Sequence, residues 1–427
     1  MTSRIFALVS LICLFGCKSK EKPSKNPVIV FTGATIIDGS GGEPVKDAVM
    51  VVSGGMVLAV GSKDDVEIPE NAEQINLSGK TIIPGIINGH GHVGDVKGIE
   101  GGHYSAENVV DNLSIYARYG ITTVVSLGND KKEAEAFRSI KDSLPADRSR
   151  LFVAGAIING KTVQEAFAVI DSNAKMGVDI IKIRIDDQLG TGTKMPEEIY
   201  RDVITRSHEL GYKVASHMYY LEDAKKLTEA GTDLLAHSVR DLPVDSLLIK
   251  EVKERGVGYC PTLTREISTF IYEDTPSFFS DPFFRMEYDS AIIKPLLDPA
   301  KQDAMKKNVA GQTYKKQLPV AMANLKTMQD NNIAIVFGTD SGVPTRFIGY
   351  FEHVEMDMMQ QAGLTPMQII VSATKNAAEK LGLKNLGTLS AGHWADFLIL
   401  NADPLTDIKN VKQIDAVYIG GKKVNRK

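Results

Sequence analysis

His90 and His92 are two imidazoles separated by one glycine. In an extended segment, residues two apart point the same way, so this pair presents two nitrogen donors to one point. The preceding run, GKTIIPGIIN, delivers them at the carboxyl end of an apolar strand. By itself a His-x-His triplet recurs by chance. Three further residues give it weight. His217 closes KVASH, His237 closes LLAH, and Asp340 closes VFGTD, each at the end of a short apolar run. Any one of these histidines reads most simply as a packed or loop residue, and the joint placement carries the argument. Five nitrogen and oxygen donors at one rim suit zinc or a similar first-row divalent ion, which takes imidazole and carboxylate ligands. Lys182 lies inside the apolar run DIIKIRI and alternates onto one face with Ile180 and Arg184. A protonated lysine has no lone pair for a metal and is costly to bury. It therefore needs either an anionic partner, as in a plain ion pair to a carboxylate, or a chemical change.

The elements that must position these side chains alternate. Residues 81–88, 122–127, 151–157, 179–185, 213–217, 233–236, 256–260 and 333–337 read as strands. Residues 131–143, 162–176, 196–210, 221–230 and 244–255 read as helices. Eight strands alternating with helices predict an α/β chain with a (β/α)8 TIM-type barrel, whose chemistry sits at the carboxyl ends of its strands. Short β-branched runs between glycine-rich turns occupy both ends of the chain, and they predict a small β-sandwich domain built from both termini. The expected division is a β-domain part at 28–86, a barrel at 87–384 and a second β-domain part at 385–427. The stretch 262–318 is rich in aromatic residues. It is either a wall of the substrate pocket or a helical insert with its own core.

The chain of 427 residues carries 49 basic and 53 acidic side chains, a net charge of −4. That balance gives no field for neutralising phosphates and excludes an obvious nucleic-acid binder. Three cysteines are too few for a disulfide framework. Residues 1–17 begin with one cation, Arg4, followed by an apolar run over 5–15 that is too short to span a bilayer and fits the core of an export signal. The run ends in LFGC, which resembles the bacterial lipoprotein cleavage box, where the cysteine thiol is acylated. The resemblance implies lipidation at Cys17, a polar tether at 18–27, and an exported protein held to a membrane on the periplasmic or cell-surface face.

Several motifs together resemble the amidohydrolase superfamily over nearly the whole chain after the tether. They are LSGK followed by PG at 84–85, His90-Gly91-His92, GVDIIK ending at Lys182, His217, His237, GTD ending at Asp340, ATKNAA at 373–378, and GTL with GHWAD toward the end. The likeness runs to the prolidase- and imidazolonepropionase-related group. It implies two divalent ions, zinc by the ligand types. His90, His92 and Asp340 would hold one ion, and His217 and His237 the other. Lys182, converted by carbon dioxide to a carbamate, would bridge them. It further implies attack by metal-activated hydroxide on a C–N bond, with Asp340 passing the proton to the leaving group. Deaminases of the superfamily use one metal and carry a glutamate three residues after the strand-five histidine. Here that place is Tyr220, and Lys182 is present. Asn88 stands where the family usually has aspartate. The related members act on dipeptides or acyl-amino acids, which implies a small substrate with a free carboxylate. Tyr219 and Tyr220 are candidates to donate to an oxyanion. Arg240 is a candidate to grip the carboxylate, its alternative being an ion pair with Asp241 or another loop acid. Lactone, carbamate or phosphotriester hydrolysis on the same metals, or a non-catalytic surface binding lipoprotein, are the rival functions.

Overall fold

The computed structural model describes residues 26–143 and 147–426. The leader, Cys17 and residues 18–25 of the tether lie outside the described residues.

The chain folds as mixed α/β. Strands Ile86–Gly91, Ile121–Ser126 and Arg150–Val153 form one parallel sheet. Ile181–Arg184, Val214–His217, Leu234–Ala236 and Gly258–Cys260 form a second. Nearly every residue of these strands is buried, as expected when both faces of a parallel sheet are covered. Ile158 and Ile183 form a parallel bridge between the two sheets. The expected strand at 333–337 is an extended segment with one bridge, Tyr259 to Ile335. It bonds on both sides, through Val336 N–H to Tyr259 O (2.9 Å) and Gly89 N–H to Phe337 O (2.9 Å).

The helices follow the apolar periodicity, and their caps fix the ends. Val163–Met176 starts at Thr162, whose side chain and Glu165 form a reciprocal capping box. Leu221–Ala230 coincides with its expected range. The helix expected from 244 begins at Ser246 because Asp245 caps it, accepting from Leu248 N–H at 3.0 Å.

Both chain ends contribute to one hydrogen-bonded sheet of eight strands. Phe397–Leu400 pairs antiparallel with Thr81–Pro84, and Thr81–Pro84 pairs parallel with Val28–Ile36. Phe31, Phe397 and Tyr418 knit the two ends together, with Phe397 and Tyr418 stacked at 4.6 Å.

Most aromatics of 262–318 pack among themselves and on the 347–351 segment, while Tyr314 lines a cavity. Phe278, Phe279, Phe284 and Tyr288 pack on Phe347, Tyr350 and Phe351. The insert's polar and cationic members, not its phenylalanines, face open space, as described below.

Candidate metal centre

The parallel register brings the chemistry to one end of the strands. It sets Ala215 opposite Lys182, and His217 opposite both Arg184 and Ala236, so His237 emerges beside His217. The 340 segment is hung on the 90 segment: Thr339 and Asp340 both donate their backbone N–H to His90 O, at 3.1 and 2.6 Å, and His92 N–H donates to Ser341 O at 2.8 Å. Close backbone contact is obligatory here. A Cβ on Gly338 would lie 2.6 Å from Cys260 Sγ and 2.7 Å from His90 Cβ, and one on Gly342 would lie 2.0 Å from His92 O. His237 (φ 85°) and Asp340 (φ 57°) adopt left-handed backbone conformations, a strain that the surrounding structure must hold and that concentrates at functional sites.

His90, His92 and Asp340 place one ligand atom each within 4.8 Å of the others. His92 donates Nδ1–H to the Gly128 carbonyl at 3.1 Å, and its Nε2 lies 2.7 Å from Asp340 Oδ1. His90 is wholly buried, and its Nδ1 has no hydrogen-bond partner among the described residues. Its Nε2 lies 3.5 Å from Asp340 Oδ1 and 3.4 Å from Lys182 Nζ. The other two histidines continue the row, with ring centroids 4.7 Å apart for His90 and His237 and 4.3 Å for His217 and His237. A divalent ion fits this donor set, since buried neutral imidazoles with fixed tautomers next to a carboxylate are what such ions bind.

The electrostatics keep the donors in ligand form. Burial pushes His217 down to about 3, against the opposing pull of Asp186, so the ring is neutral. His217 then donates Nε2–H to Asp186 Oδ2 at 3.0 Å and keeps Nδ1 as its lone pair. Burial also holds His237 and His90 well below the ordinary histidine range. Burial opposes ionisation of Asp340, but Arg346, His92 and His90 overcome it and hold the carboxylate well below its usual range. Arg346 Nη1 pairs with Asp340 Oδ2. Burial pushes the Lys182 amine down to about 8, and among the described residues it forms no ion pair. The plain carboxylate partner that the sequence allowed for Lys182 is therefore not found there.

The candidate substrate residues separate. A cavity of about 880 Å³ opens beside His217, lined by Arg184, Asp186, Tyr220, Arg265 and Tyr314 among others. Tyr220 is in this lining and donates its hydroxyl to Asp187 Oδ1 at 3.1 Å. Arg240 and Tyr219 are not. Arg240 is fully buried. Its guanidinium stacks on Tyr219 at 4.6 Å, lies 3.2 Å from Glu266 Oε1, and donates to the carbonyls of Ser238 and Met218. The Tyr219 hydroxyl is taken by Gln317. A buried guanidinium without a carboxylate would be expensive, and Glu266, not Asp241, supplies it. Asp241 instead accepts from Leu221 N–H.

Three contributors were not singled out from sequence: Asp186, Arg346 and Glu352. Asp186 was reachable, because Lys182, Arg184 and Asp186 alternate along one run. Thr262, whose Oγ1 is 2.7 Å from His237 Nδ1, was marked only by following the seventh strand.

Residues 81–424 match the model of the amidohydrolase family. Among curated proteins, an enamidase of Eubacterium barkeri is 26% identical over 194 residues, which is 43% of this chain and 47% of that protein. A 5-methylthioadenosine/S-adenosylhomocysteine deaminase of Shouchella clausii is 32% identical over 94 residues, 20% of this chain and 22% of the other. The chain thus spans about half or less of the curated relatives it matches. Among solved structures, a Xaa-Pro dipeptidase with bound methionine superposes with a TM-score of 0.74 at 21% identity, covering 93% of this chain and all of that one, a likeness of fold. A family model that runs from Thr81 to Val424, over a fold that superposes along nearly its whole length, establishes that the chain belongs to the amidohydrolase family.

Proposed function

We propose that the chain is a metal-dependent hydrolase that cleaves a C–N bond in a small amide, dipeptide or acyl-amino acid with a free carboxylate. The observation that carries this reading is the meeting of His90, His92 and Asp340 with Lys182, His237 and His217 beside a cavity lined by two guanidinia. The two parallel sheets are read as arcs of one (β/α)8 barrel, with the terminal strands as a separate β-domain. Both parallel sheets end at the same rim, which supports that reading.

His90, His92 and Asp340 would hold one zinc ion and His217 and His237 a second. Lys182 would join them after its neutral amine adds to carbon dioxide and loses a proton, leaving a carbamate. A lysine amine lowered to about 8 in a site without a carboxylate partner is suited to that addition. Bound divalent ions supply Lewis acidity toward the scissile carbonyl and toward water. The remaining work falls to the chain. Asp340, held at Oδ2 by Arg346, would take the proton from the attacking water and return it to the departing nitrogen. The products are a carboxylic acid and an amine.

Charge around the cavity favours an anionic substrate. Glu266 faces two guanidinia, Arg240 at 3.2 Å and Arg265 at 3.0 Å. Arg184 lies 3.5 Å from Asp186, whose other partner is neutral His217. Arg265 and Arg184 are the two guanidinia in the cavity lining and the candidates to pair with a substrate carboxylate. In a panel of N-acyl amino acids and dipeptides set against neutral amides, lactones and phosphotriesters, turnover is expected for the carboxylate-bearing amides. It should disappear on chelation and return with zinc. Arg265→Met is expected to raise KM by roughly 10- to 100-fold for those substrates only, the scale of a charge-assisted contact. Equal loss on neutral amides would remove the carboxylate from the proposal, and preferred turnover of lactones or phosphotriesters would replace the C–N bond.

The acylated Cys17 is likewise proposed as a membrane anchor, on the leader and tether alone. Cys17→Ala is expected to move the protein from the membrane to the soluble fraction, and unchanged fractionation would refute the anchor.

A further inference from the structure

Beneath the donor set lies a buried carboxylate that the reaction does not use. Glu352, on the helix Tyr350–Gln361, is wholly buried and has no arginine or lysine partner among the described residues. Its Oε1 collects three donors: Asn88 Nδ2 at 2.6 Å, Thr339 Oγ1 at 2.7 Å and Ser341 Oγ. Its Oε2 is buried and has no side-chain hydrogen-bond partner among the described residues. The three donors are not scattered. Thr339 and Ser341 flank Asp340 on either side, and Asn88 sits two residues before His90. Asn88 also works in the other direction, since its Oδ1 accepts His90 N–H at 3.0 Å. Its Nδ2 reaches Thr339 Oγ1 at 2.9 Å as well. The Tyr116 hydroxyl closes the group from the far side, 2.7 Å from Ser341 Oγ.

Resting on the metal reading above, we propose that Asn88 and Glu352 form a clasp that sets the distance between the His90–His92 segment and Asp340, and that the carboxylate at 352 is what requires an amide at 88. Both are positioning residues. Asparagine presents an acceptor to the His90 backbone and a donor to Glu352 at once. An aspartate there has no amide hydrogen to donate. Its second oxygen would meet Glu352 Oε1 at about the 2.6 Å of the present contact, where two buried carboxyl groups repel unless they take up and share a proton. The amide at 88 and the carboxylate at 352 are thus one feature.

The pairing predicts rescue by exchange. Zinc affinity of the purified full chain is measured by competition with a chelator, and thermal unfolding of the metal-free protein is followed separately. Asn88→Asp is expected to weaken zinc binding by roughly 10- to 100-fold, the effect typical of losing a group that orients a ligand. Glu352→Gln alone should cost about threefold or less, because the glutamine carbonyl can take the Oε1 position and keep its three donors. The double variant, Asn88→Asp with Glu352→Gln, should return to within about threefold of the parent, since the amide then donates to the carboxylate from the other side. Should Asn88→Asp fail to fold, Asn88→Ala, which adds no charge, is expected to lose about tenfold in affinity. Parent-like affinity of Asn88→Asp or Asn88→Ala, or a double variant no tighter than Asn88→Asp, overturns the clasp. A parent chain that binds no zinc overturns the metal reading itself, and the two failures are distinct.

Discussion

Lys182→Ala is expected to lower kcat/KM by at least about 10³-fold, roughly 4 kcal/mol of transition-state stabilisation. The size follows from where the side chain is. Lys182 is 2% exposed, on the strand Ile181–Arg184, with its amine 3.4 Å from His90 Nε2 and no ion pair among the described residues. A lysine so placed has nothing to gain as a cation, and removing it should do little harm to the fold. If the amine becomes a carbamate, the alanine variant lacks the group that joins the two halves of the donor set. Metal analysis should then fall from two equivalents per chain to one or fewer. Acetate or propionate, which fit the space left by the lysine stem and bring a carboxylate, should restore part of both metal and rate. A variant with two equivalents and full turnover would show that Lys182 is only a buried lysine.

Asp340→Asn is the second large effect, expected at 10³-fold or more in kcat, roughly 4 kcal/mol, with KM changed far less. Asparagine is the right replacement because Asp340 has φ 57°, and asparagine tolerates the left-handed region better than alanine would. The variant keeps the shape and loses the charge. It cannot neutralise Arg346, it meets His92 Nε2 without a charge, and it cannot take up a proton. Far-ultraviolet circular dichroism should match the parent while turnover is lost. An asparagine variant that retains a tenth of the parental kcat would assign proton transfer to another group.

Much of the framework is legible in the chain. Seven of the eight expected strand positions contain strands, and the helix at 221–230 has its stated ends. The eighth, 333–337, makes its hydrogen bonds but is too short and irregular to be a ladder. The reason is local: β-branched runs and apolar periods are properties of neighbouring residues, so they can be read in order. The places of the four histidines and Asp340 were legible for the same reason, since each lies at or just past the end of an apolar run. Arg240 was not, because its position three residues past His237 says nothing about its direction. The side chain turns inward onto Tyr219 and Glu266, and Arg265 and Arg184 stand in the opening instead.

What the sequence determined by itself is the set of short-range facts: which runs are extended, which are helical, and that imidazoles, a carboxylate and a lysine lie at or within the extended ones. What only the tertiary structure decided is partnership. Arg346 reaches Asp340, Asp186 takes His217, Thr262 steadies His237, and Glu352 joins segments more than 250 residues apart in the chain by binding Asn88 and Thr339 together. Those choices follow from burial. A charged or polar group removed from water must find its complement within about 3 Å, and which complement lies there is set by how distant strands come to rest side by side.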